Sequence, residues 1–129
     1  MVKYLTAEEI LAAHAEIIDR YGGSHGLRDL SLLESAVARP RAGYGDFEAY
    51  ATLWGKAAAL LQSLVLNHPF VDGNKRTGVV ASLLFVERNG YVIDVSQRVL
   101  VQLALRVASQ KLDHAAIARW LETHSIPAA

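Results

Sequence analysis

Residues 50–67, YATLWGKAAALLQSLVLN, and residues 74–89, NKRTGVVASLLFVERN, decide the fold. The first segment carries one charge, Lys56, and the second is uncharged from Thr77 through Val86. A helix on a protein surface shows a polar stripe, whereas one that is apolar all round belongs in the middle of a bundle. Two such segments in succession predict a central helix pair with other helices packed around it. Upstream, Thr6 and Glu9 have capping-box spacing. Ile10, Leu11, His14, Ile17, Ile18 and Tyr21 follow at threes and fours until Gly22-Gly23 ends the helix. Asp29 caps a second, shorter helix with Leu30, Leu32, Leu33, Ala36 and Val37, which Pro40 stops, and residues 40–49 read as loop. Downstream, Gly90 ends the fourth helix and Tyr91-Val92-Ile93 is a short extended link. Ser96 caps a fifth helix to about Gln110 and Asp113 a sixth through His124. The prediction is all-α: a compact single-domain six-helix bundle over residues 1–129, with a motif loop between its two buried helices.

The chain has 129 residues, 52% hydrophobic and 20% charged, with 13 basic and 13 acidic side chains and no cysteine. That length suits one domain. Without cysteine, disulfide scaffolds, zinc fingers, thiol enzymes and iron–sulfur sites are excluded. Neutral charge argues against a general nucleic-acid or lipid binder, which shows a basic excess. Glu8 and Glu9 stand where a signal peptide needs an apolar core. The apolar run Val79–Val86, interrupted by Ser82, is far short of the roughly 20 residues of a membrane span. A soluble, cytoplasmic protein is expected, with no membrane partner and no direct nucleic-acid partner.

Between the two central helices lies His68-Pro69-Phe70-Val71-Asp72-Gly73-Asn74-Lys75-Arg76-Thr77-Gly78. Here local rules are broken, as happens at functional sites. Lys75 and Arg76 occupy the first turn of a helix, where a cation opposes the helix dipole by about 0.3–1 kcal/mol. A bound anion reconciles them, because a helix N-terminus presents free N–H groups and partial positive charge. Gly73 removes a side chain that would hold a phosphate off the backbone. Arg76 offers a planar fork for phosphate oxygens. Asp72 suits such a place if a divalent cation lies between carboxylate and phosphate, as magnesium does. His68 is the group that can take a proton near neutral pH. Singly, each has an ordinary explanation: a histidine cap, an Asp-Gly-Asn turn, a solvated basic face. Their ordered combination within nine residues points to chemistry.

The segment closely resembles the signature of the Fic/Doc superfamily, His-x-Phe-x-Asp/Glu-Gly/Ala-Asn-Gly/Lys-Arg, and its Lys75 variant resembles the death-on-curing (Doc) toxin branch. Tyr21-Gly22-Gly23, Gly26-Leu27-Arg28-Asp29, Leu33-Glu34-Ser35-Ala36 and Arg39-Pro40 recur in that branch in the same order. The resemblance implies a Fic/Doc-type bundle. It also implies His68 as base, Asp72 as magnesium ligand, and Asn74 and Arg76 on phosphates, with Gly73 and Lys75 completing a nucleotide site. The co-substrate implied is ATP or another nucleoside triphosphate, with Mg2+. Fic enzymes transfer AMP and have Gly at the Lys75 position and a second Arg further on. Here Thr77-Gly78-Val79-Val80 follows, so that second Arg is absent. Doc toxins, with Lys, transfer the terminal phosphate to a Ser/Thr hydroxyl, elongation factor Tu being the family's target. Lys75 favours the Doc-type kinase, with Fic-type adenylyltransferase the alternative.

Many Fic proteins silence themselves with a Ser/Thr-x-x-x-Glu-Gly/Asn helix, and Ser31-Leu32-Leu33-Glu34-Ser35 has neither its spacing nor its following residue. Inhibition is then expected from a cognate antitoxin, whose disordered tail folds on binding. His14, His25, His114 and His124 lack metal-ligand spacing and read as core or surface; Trp54 and Trp120 read as packing. The last two helices, joined near Lys111-Leu112-Asp113, could pass for a helix-turn-helix, but only Arg106, Lys111 and Arg119 are basic there. A non-catalytic DNA- or protein-binding module is the distant alternative.

Overall fold

Short-range capping sets the helix boundaries in the computed structural model, which describes residues 1–129. Helix α1 (Ala7–Tyr21) opens at a capping box: the Thr6 hydroxyl accepts the Glu9 N–H at 3.2 Å, and the Glu9 carboxylate accepts the Thr6 N–H at 3.0 Å. Asp29 caps α2 (Leu30–Ala38) through the Leu32 N–H. Ser96 caps α5 (Gln97–Ala108) through Val99, and Asp113 caps α6 (His114–Thr123) through Ala116 at 2.8 Å. Each such cap stabilises by about 1 kcal/mol.

The two segments apolar all round form α3 (Leu53–Asn67) and α4 (Asn74–Arg88), which pack against each other at the centre. Helices α2, α5 and α6 also pack on α3, while α1 and α5 pack on α4. Leu60, Leu61, Leu64 and Val65 of α3 and Val79, Phe85 and Val86 of α4 are all buried. Burying one Leu or Phe side chain stabilises by about 1.5–3 kcal/mol, so this pair anchors whatever lies between its ends. The fold is all-α with six helices, and no helix is long and apolar enough to cross a membrane.

The differences from the sequence prediction are local. Helix α3 starts at Leu53 instead of near Tyr50, because the Thr52 hydroxyl accepts the Gly55 N–H at 3.0 Å and so caps the helix. The stretch read as loop, residues 40–49, is entered through a 3-10 turn at Arg39–Arg41 and holds a small hairpin of β1 (Gly43–Tyr44) and β2 (Phe47–Glu48). Lys56, the one charge of α3, is buried and donates to the Glu48 carboxylate at 2.8 Å and the Pro40 carbonyl at 3.2 Å. Its charge therefore ties the hairpin to α3. The extended link Tyr91–Ile93 is a strand, β3, paired antiparallel with β4 (Ser125–Pro127) in the register Val92↔Ile126.

Candidate active site

The motif begins where α3 stops. His68 adopts the left-handed conformation (φ 51°, ψ 61°), one that a non-glycine residue adopts at some cost. The last carbonyls of a helix lack intrahelical partners. Here the Arg28 guanidinium fills that gap, donating to Asn67 O at 2.8 Å and His68 O at 2.6 Å. The same stretch runs beside the motif: Arg28 N–H and Asp29 N–H both donate to Pro69 O, and Val71 N–H donates to Gly26 O. Residues 26–29 thus brace residues 67–71 by backbone and side chain together.

Asn74 and His14 fix the interior of the loop. The Asn74 amide is almost fully buried; its Oδ1 accepts the Phe70 N–H at 3.0 Å and its Nδ2 donates to Phe70 O at 2.9 Å. These two bonds set the amide's orientation and turn an Nδ2–H toward Nδ1 of His68, 3.3 Å away. In this structure Asn74 spends its side chain on the loop and on His68. His14, buried on α1, stacks on the Phe70 ring at 3.8 Å and 6°. Its Nε2–H donates to the Asp72 carbonyl at 2.8 Å. Phe70, expected as core, is buried.

The exposed Asp72 carboxylate is held by two backbone donors, Ser24 N–H to Oδ2 at 3.1 Å and Gly73 N–H to Oδ1 at 2.9 Å. Those donors, the Ser24 bond foremost, hold its pKa below the usual carboxylate value. Gly73 (φ 77°) turns the chain into α4 in the left-handed region, and no side chain caps that helix. The N–H groups of Asn74, Lys75 and Arg76 have no acceptor within the protein. Lys75 is exposed, Arg76 is half-buried, and neither has a carboxylate partner. Gly23 makes room for this arrangement, since a Cβ there would lie 2.6 Å from Asp72 Oδ2.

Asp72, Gly73, Asn74, Lys75 and Arg76 line one side of a cavity of about 540 Å³, whose other wall is apolar and comes from α1 and α5. His68 is exposed and does not line this cavity; it stands at the end of α3 and meets the cradle through Asn74. No group of three His, Cys, Asp or Glu side chains is arranged to hold a metal by itself. One exposed, ionised carboxylate beside free N–H groups instead fits an ion shared with phosphate oxygens, the habit of Mg2+. Asp72 would hold it.

The sequence reading does not single out His14 or Arg28 for the site, nor Tyr21, which lines the same cavity. His14 is a polar residue on the apolar stripe of α1, a signal that it is satisfied against something specific. Arg28 and Tyr21 belong to the stretches that resemble the Doc branch, without an individual role being evident there. The side chains of His25, His114 and His124 bond to Asp19, Gly55 O and Trp120 O and to no motif residue.

Comparison with known proteins places the chain in a family. A family model described as Fic/DOC family matches residues 4–86, from before α1 to near the end of α4. Toxin Doc of Mycolicibacterium smegmatis is 49% identical over 90 residues, 70% of this chain and 67% of that protein. Protein kinase doc of Escherichia phage P1 is 31% identical over 117 residues, 91% of each.

Proposed function

Because the chain belongs to the Fic/Doc superfamily, in its Doc branch, we propose that it is a Doc-type toxin. In this reading it moves the terminal phosphate of a nucleoside triphosphate, ATP in the simplest case, to a Ser or Thr hydroxyl of a target protein. One observation carries the proposal: an ionised Asp72, three unpaired N–H groups and two unpaired cations converge on one cavity, joined to His68 through Asn74. Such an arrangement is costly for stability alone and apt for a polyphosphate.

Positioning and charge neutralisation are most of what phosphoryl transfer requires of a protein. The Asn74 N–H favours the His68 tautomer whose lone pair is on Nδ1, the nitrogen that faces the Asn74 amide. An incoming hydroxyl takes the place of this 3.3 Å contact in the proposed reaction. His68 takes the hydroxyl proton as the new oxygen–phosphorus bond forms; the bond to the β-phosphate oxygen breaks and the diphosphate leaves. Arg76, Lys75 and the α4 N–H groups hold the phosphate oxygens. Magnesium on Asp72, when bound, supplies further neutralisation of phosphate charge. His14, Arg28 and the Asn74 bonds to Phe70 keep the loop from rearranging as charge develops.

Lys75 supports the kinase over the adenylyltransferase reading, as does the name of the phage P1 relative. A lysine at that position fills space that a pyrophosphate would pass through in the AMP-transferring orientation, and Val79 and Val80 offer no second guanidinium. Family resemblance supports elongation factor Tu as acceptor, in the cytoplasm, with a blocked translation step as the consequence. A cognate antitoxin would restrain the toxin. The apolar wall of the cavity, continued by exposed Val101 and Leu105 on α5, suits a tail that folds into an amphipathic helix on binding. The test is ATP labelled at either the α- or the γ-phosphate, supplied with an acceptor. The proposal expects γ label on protein; α label would keep the site and reverse the assignment to AMP transfer.

A further inference from the structure

Arg76 is held in place without being neutralised. Its guanidinium carbon sits 3.8 Å from the centroid of the Tyr21 ring, the last residue of α1. It makes no ion pair and no hydrogen bond within the protein, whereas Arg39 spends its donors on Tyr50, Ala59, Gln62 and Ser63, and Arg88 spends its own on Glu9 and Tyr4. Tyr21 is itself half exposed, so core packing does not explain a large aromatic there. Both residues line the cavity of the motif.

We propose that Tyr21 is a positioning residue that presents Arg76 to the phosphate. A ring face attracts the guanidinium through its quadrupole and restrains the plane of the fork. It occupies none of the five N–H donors, which all lie in that plane and stay available to an anion. A carboxylate in its place would hold the arginine as firmly but would have to be displaced and would repel the phosphate. Restraint in advance also reduces the rotamer freedom lost when the anion binds. The inference rests on the reading of the cavity as a nucleotide phosphate site.

The experiment measures the affinity of Mg2+·ATP by calorimetry for the wild type, Tyr21→Phe, Tyr21→Leu, Arg76→Gln and the double variant Tyr21→Leu/Arg76→Gln. Phenylalanine keeps the ring face and should leave the affinity unchanged. Leucine should weaken binding about two- to fivefold, the range of an exposed cation–π contact. In the Arg76→Gln background the same leucine should cost nothing more, because the interaction it removes is already gone. An equal loss in both backgrounds, no loss in either, or a Phe variant as weak as the Leu variant would overturn the role of Tyr21 while leaving the nucleotide site standing. Absence of binding by the wild type would overturn the nucleotide reading, and this inference with it.

Discussion

Replacing His14 with alanine tests whether α1 holds the motif loop in its working shape. The substitution removes a face-to-face stack on Phe70, a 2.8 Å hydrogen bond to the Asp72 carbonyl and a buried ring. The stack is worth about 0.5–1.5 kcal/mol beyond area. The hydrogen bond adds roughly 0.5 kcal/mol, the low end of the range, because Asp72 is exposed and its carbonyl can turn to water. The vacated volume contributes about 1 kcal/mol more. The sum, about 2–3 kcal/mol, corresponds to a fall in melting temperature of roughly 8–12 °C for a domain of this size. His14→Phe keeps the ring and loses only the hydrogen bond, so it should stay within about 1 kcal/mol of wild type. Transfer should suffer in both variants, by roughly tenfold or more, since small displacements of reacting groups are costly. Circular dichroism melts and labelled-phosphate transfer read the two effects separately. A His14→Ala protein that melts and transfers as the wild type does would refute the idea that α1 holds the loop.

Further predictions concern the base and the acid limit of stability. His68→Ala should reduce transfer by about 10²–10⁴-fold, the usual contribution of a general base, yet bind Mg2+·ATP within a few fold of wild type by calorimetry. Glu9, hydrogen-bonded first by Arg88 and next by the Thr6 N–H, has its pKa lowered from 4.5 to about 2. A carboxylate depressed in this way stabilises the fold above pH 4.5 and loses that contribution as pH falls toward 2. The pair is more than a third exposed, so the contribution is about 1 kcal/mol. Denaturant melts should therefore show wild type losing its advantage over Glu9→Gln between pH 5 and 2, and an advantage unchanged across that window would contradict the pairing.

What could be read from sequence was mostly what is decided within four residues. Thr6, Asp29, Ser96 and Asp113 announce helix starts because each caps an N–H three residues on. The burial of α3 and α4 was legible because it needs no knowledge of partners, only a missing polar face. Tyr50 reads as part of α3 because its apolar character continues the run, although Thr52 is the residue that caps. The pairing of β3 with β4 joins residues more than thirty apart through three-residue strands, too short to leave an alternating pattern. The motif stands out in the sequence because two cations and an acid crowd the start of one helix. Its supports stand out less: His14 acts on Asp72 across 58 positions and Arg28 on His68 across 40. Residues so far apart meet only through packing.

The measurement closest to the central claim is the mass of whatever the protein modifies. Wild type and His68→Ala would each be incubated with ATP, Mg2+ and a bacterial extract, and the proteins of the extract weighed before and after. The expected result is one acceptor that gains a single phosphate on a Ser or Thr with the wild type and gains nothing with His68→Ala. No modified protein with the wild type, or the same modification from His68→Ala, would contradict the assignment of His68 and its phosphate cradle as the centre of a transferase.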